Sequence, residues 1–225
     1  MNLRVPWGSR DIVVSIALVL AAVLIMALVG VFFKDAGGFY IGTLGLASVG
    51  IFGFLMVGMS VYLGPVRYGL PLTRLGLRSR VNTQQALLAV GVLLASLSFN
   101  LVYVLVLKVA GWENMMPTDV VAELGLQGAE YVVGAFLIVL WGPFSEEIFF
   151  RAFIFTGLAN RFGWLGAAII SAALFAAFHG EYGVMIPAFF TGLLLAGLYW
   201  WTGSLWPCLL AHATQNAAAL FTSSL

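Results

Sequence analysis

The stretch WGPFSEEIFFRAFIF, Trp141 to Phe155, decides how this chain is read. It sets two carboxylates, Glu146 and Glu147, and one guanidinium, Arg151, into a run otherwise made almost wholly of aromatic and aliphatic side chains. A charged group at the centre of a bilayer costs at least ~2.5–3.5 kcal/mol, so such groups face a cavity, pair with one another and mark function. Gly142-Pro143 lies about one turn before them, and an internal proline removes a helix hydrogen bond and crowds the preceding turn. The segment from Tyr131 to Leu158 therefore reads as one kinked membrane helix with a polar group in its middle.

Working outward, the rest of the chain has the same character. Of 225 residues, 62% are hydrophobic and 8% charged, and the mean hydropathy is +1.06. Such a composition belongs to multi-pass membrane proteins. Ile12 to Phe33 is long enough to span a bilayer and is followed by no convincing small-residue cleavage site, so it reads as a first span rather than a cleaved signal. Phe39 to Val66 and Val81 to Leu107 are spans 2 and 3, the third opened by Asn82-Thr83-Gln84-Gln85. After the kinked helix 4 come Trp164 to Phe178, Tyr182 to Trp201 and Leu205 to Leu220. The predicted fold is all-α, a polytopic membrane bundle of about seven helices. Residues 1–127 carry helices 1 to 3, and residues 128–225 form the catalytic core of one integrated membrane domain. The short connections between helices 5, 6 and 7 predict antiparallel neighbours.

A formal charge of +1 argues against an electrostatic grip on nucleic acid, which needs a concentrated basic face. The lone Cys208 has no intrachain disulfide partner. Cytoplasmic loops hold an excess of Arg and Lys. Arg4, Arg10, Arg67, Arg74, Arg78, Arg80 and Arg161 fall on one side, and Lys34 and Lys108 on the other, which predicts a cytoplasmic N-terminus and an acidic outer loop from Gly111 to Glu130. The Arg67 to Arg80 cluster also suits anionic lipid headgroups. Trp200, Trp201 and Trp206 fit an interfacial aromatic belt.

Both histidines and three of the nine acids fall between residues 146 and 212. If helices 4 and 5 turn at Arg161-Phe162-Gly163, Glu146 and His179 stand at equal height, each roughly 25 Å above the turn. Asn216 stands roughly 18 Å above the 6/7 turn, with His212 one helical turn lower. Four groups from three helices thus share one layer. Glu147 and Arg151, at i and i+4, can neutralise each other and leave Glu146 free. His212 and Asn216, also i and i+4, point from one face into one cavity.

Peptide hydrolysis in a membrane needs a base to activate water, a group to hold that base, and donors for the developing oxyanion. Glu146 with His179 can supply the first two, and His212 with Asn216 the donors, while Glu147 and Arg151 fix helix 4. The competing reading is structural. A Glu-Arg pair, a membrane histidine or an asparagine can each serve as interhelical glue, Phe175 reads as packing, and Glu181 as solvated at the 5/6 turn.

Glu146-Glu147-Ile-Phe-Phe-Arg151 resembles the EExxxR motif, Phe175-Ala-Ala-Phe-His179 the FxxxH motif, and His212-Ala-Thr-Gln-Asn216 the HxxxN motif of the CAAX-prenyl-protease and bacteriocin-processing (CPBP, or Abi) intramembrane proteases. All three stand in the family's order, over about residues 128 to 220. The resemblance implies an intramembrane glutamate-type endopeptidase in which Glu146 activates water beside His179, and His212 and Asn216 stabilise the oxyanion. Ala152 departs from the pattern, where glycine commonly follows the motif arginine. The substrates implied are peptides or membrane-anchored proteins, in a cell membrane expected to be prokaryotic.

No cofactor is expected. Glu146, His179 and His212 form an alternative zinc set with an open position for water, but HExxH is absent. Two other functions compete: a non-proteolytic membrane partner or bacteriocin self-immunity protein, and a proton-coupled transporter. The transporter reading lacks paired broken helices in matching halves.

Overall fold

The computed structural model describes residues 4–33, 38–77, 81–117 and 128–223, and every regular element among them is helical. Helix α1 spans Ser9–Phe33, α2 Gly38–Leu63 and α3 Thr83–Ala110. From Gly128 to Phe178 the helical path is continuous except at Gly163, whose φ of 69° and ψ of 171° lie where a side chain would be strained. That glycine divides the path into α4, residues 128–162, and α5, residues 164–178. The two arms fold back on each other: Ser171 Oγ donates to the Phe150 carbonyl at 2.7 Å, and the Phe150 ring packs on Phe175 at 5.3 Å and Phe178 at 5.5 Å. Helices α6, Tyr182–Thr202, and α7, Leu205–Ser223, complete seven helices among the described residues. The predicted spans are thus found with small shifts at their ends.

Among the described residues, five helical runs, with α4 and α5 counted as one, are long and apolar enough to cross a membrane. The chain is an all-helical membrane protein. Helix α3 opens where predicted: Asn82 Oδ1 accepts from the Gln85 amide at 2.9 Å while Gln85 Oε1 accepts from the Asn82 amide at 3.3 Å, a reciprocal cap for a helix end. Between α2 and α3 the chain makes two short 3₁₀ turns, Val66–Tyr68 and Leu72–Leu75. The first is pinned to α1, because the buried Asp11 accepts from Tyr68 Oη at 2.9 Å and pairs with Arg67 at 3.5 Å. Lys34, Arg78, Arg80 and residues 118–127 of the acidic connection lie outside the described residues.

Helix α4 is the spine of the core, and it departs from α geometry twice. Leu137–Trp141 and Glu147–Phe155 are π-helical, separated by one short α segment, Gly142–Glu146. Each π turn places one more residue per hydrogen-bonded ring than an α turn and is found most often at functional sites. All nine residues of the second π segment are buried. Small residues let α5 and α6 approach closely: a Cβ on Gly192 would stand 3.0 Å from that of Ala172, the kind of contact that drives helix association in lipid. A closed ring of hydrogen bonds ties α3 to α6 and α7. Ser96 Oγ donates to Gln215 Oε1 at 2.8 Å, Gln215 Nε2 donates to Thr191 Oγ1 at 3.4 Å, and the Thr191 hydroxyl lies against Ser96 Oγ. Cys208 is buried within α7.

Candidate active site

The two carboxylates of α4 are adjacent in sequence and differ in environment. Glu147, the first residue of the second π segment, is fully buried, whereas the Glu146 side chain keeps 26% of its surface accessible. Glu147 is held from two sides: Arg151 Nε stands 3.3 Å from Oε2, and His212 Nδ1 lies 2.8 Å from Oε1. The predicted pairing with Arg151 is present; the grip on His212, which reaches across from α7, could not be read from spacing. His212 turns its other nitrogen to Glu146, with Nε2 at 3.6 Å from Oε2.

That geometry places one ring proton. A carboxylate can only accept, so the bond to Glu147 places a proton on His212 Nδ1 and leaves Nε2 as the nitrogen presented to Glu146. The same argument applies to His179, whose Nδ1 lies 2.8 Å from the Phe175 carbonyl, another obligate acceptor. Both imidazoles therefore offer Nε2. Expected beside Glu146, His179 instead directs Nδ1 into its own helix end and keeps an exposed ring; the imidazole in direct contact with Glu146 is His212. Equal height fixes only the level of a residue, while its rotation about the helix axis selects its neighbour.

Arg151 is buried to 1%. Its guanidinium lies 4.2 Å from the centre of the Phe175 ring, a cation–π contact that strengthens with desolvation. The same ring meets His179 edge-on at 4.7 Å and His212 at 5.7 Å. Phe175, which the sequence suggested was ordinary packing, is thus the shared wall of the motif residues from α4, α5 and α7. The FxxxH motif singled out Phe175 in the sequence, but not the contacts its ring makes. Glu181 sits at the start of α6, half-buried.

Asn216 lies one helical turn beyond His212 and donates through Nδ2 to the Ile138 carbonyl at 3.0 Å. The expected shared face of His212 and Asn216 is present, with Asn216 also anchored to the first π turn of α4. Tetrahedral zinc needs donors about 2.0–2.2 Å from one point, and among the described residues no three His, Cys, Asp or Glu side chains come together in that way.

What the arrangement can do chemically is specific. One accessible carboxylate stands against an imidazole whose far side is locked by a second, buried carboxylate. Residues 128–218 match the family model described as type II CAAX prenyl endopeptidase, Rce1-like. The match covers the three motifs and leaves out α1 to α3. No curated protein and no solved structure matches the chain.

Proposed function

We propose that this chain, whose residues 128–218 match the family model described as type II CAAX prenyl endopeptidase, Rce1-like, hydrolyses a peptide bond of a membrane-anchored protein or peptide with water activated by Glu146. The observation that carries this reading is the contact of Glu146 with His212, itself fixed by Glu147. Glu146 is the acid that water can reach. It takes a proton as the hydroxide adds to the scissile carbonyl, and it returns that proton to the departing amine. His179, with Nε2 free, orients the attacking water. His212, as imidazolium, and Asn216, through its second amide hydrogen, donate to the oxyanion. Preset donors of this kind need no reorganisation as charge develops. Glu147 and Arg151 hold His212 and the π segment in place. No step is routed through a metal.

Mass spectrometry of membrane peptides from cells carrying the wild-type protein, Glu146→Gln or no protein tests the proposal. Specific cleavage products should appear with the wild type alone, and their chemistry would identify the substrate, including any prenyl group. Glu146→Gln conserves shape and hydrogen bonding, so retained cleavage by that variant removes Glu146 from the role of base. Stoichiometric zinc whose chelation abolishes cleavage would overturn the metal-free route. A non-proteolytic partner protein would give identical peptides in all three samples.

A further inference from the structure

The Ile138 carbonyl that receives Asn216 is not available by accident. In an α-helix it would accept from the amide of Gly142, four residues on. Here the π turn sends the Gly142 amide to Leu137 instead. In π register the next donor along the helix would be the amide of residue 143, and that residue is a proline, which has none. Both intrahelical donors for Ile138 are therefore missing, and the Asn216 amide fills the vacancy at 3.0 Å. A carbonyl only accepts, so the contact also determines which end of the Asn216 amide faces α4 and where its second N–H points.

We propose that Pro143 is a positioning residue that acts through Asn216: by lacking an N–H it keeps the Ile138 carbonyl open, and that carbonyl orients the Asn216 amide as a donor to the reaction's oxyanion. This rests on the hydrolase reading and adds to it a residue outside the three motifs. A single hydrogen bond from α4 sets the donor's direction before substrate arrives, which is the condition for oxyanion stabilisation without reorganisation. Any other natural residue at position 143 brings a backbone N–H that competes with Asn216 for the Ile138 carbonyl.

The test is a double-mutant cycle with one backbone substitution. Asn216→Ala should lower kcat by about 100-fold, and Pro143→Ala by about tenfold through misorientation, each with KM within about twofold of wild type. Pro143→Ala added to Asn216→Ala should cost less than about twofold more, because its target is already gone. Lactic acid at position 143, introduced by nonsense suppression, gives an ester that lacks both the ring and the N–H. It should restore kcat to near wild type, an outcome that loss of a proline kink alone cannot produce. Wild-type kcat in Pro143→Ala, multiplicative losses in the double variant, or an ester variant as slow as alanine would each overturn the inference while leaving the hydrolase reading intact. Should the wild type cleave nothing, the hydrolase reading fails, and melting still reports the bond. Asn216→Ala should lower Tm by about 2–4 °C in the wild type and by less than half as much in Pro143→Ala. An equal drop in both backgrounds would refute the link between Pro143 and Asn216.

Discussion

Helices α1 to α3 and helices α4 to α7 draw on the same apolar residues and use them in opposite ways. In the most apolar windows of α1, α2 and α3, 17%, 22% and 11% of residues are buried by the protein, against 50% in α6. Leu24, Phe54, Leu87 and Leu101 stand exposed on the first three helices, whereas residues 147–158 form an unbroken buried run on α4. The difference lies in the polar groups. Leucine facing a lipid tail has nothing to gain from a protein neighbour, whereas a buried glutamate or arginine must find a partner or pull water in. The second half of the chain packs tightly because its charges oblige it to.

Removing a charge partner from the packed half is therefore the strongest way to test this contrast. Glu146→Gln should reduce cleavage by at least about 10²–10⁴-fold, with a melting temperature close to wild type, since Glu146 is the accessible acid; peptide release by the purified variant measures it. Arg151→Ala should destabilise the protein by about 3–5 kcal/mol, because it leaves Glu147 buried beside a single imidazole. Unfolding in detergent reads that loss, and a change below about 1 kcal/mol would mean that the pair is not holding the core together.

A smaller effect is expected where the residues before α1 reach the packed half. Trp7 is buried, and its indole N–H donates to the Phe153 carbonyl in the second π segment at 3.0 Å. Trp7→Phe should keep the packing and lose that bond, at a cost of about 1 kcal/mol in the same unfolding measurement. Smallest of all, Leu87→Ala and Leu101→Ala on the exposed face of α3 should change stability by no more than about 0.5 kcal/mol and leave turnover unchanged. A large loss at either position would show that α3 has a protein partner on that face.

Much of the architecture was legible before any coordinates. Uncharged runs of sufficient length, the Asn82 cap and the Gly163 turn each obey a local rule, and the structure follows them closely. The site was legible as a set of residues at similar depth, since height above a turn follows from rise per residue. Its pairings were not legible. His212 rather than His179 touches Glu146, Glu147 grips His212 as well as Arg151, and Phe175 forms a wall shared by three helices. Each depends on rotation about a helix axis, which the two π segments of α4 alter without any recognisable mark in composition.

The sequence by itself determined that this chain crosses a membrane several times and that its ionisable groups must gather between helices 4, 5 and 7, because hydrocarbon tolerates neither a bare backbone nor a solitary charge. Only the tertiary structure decided which nitrogen faces which carboxylate, and that a carbonyl left open beside Pro143 is taken by Asn216. Those outcomes turn on directions and distances of a few ångströms between segments far apart in the chain, where hydrogen bonding is won or lost.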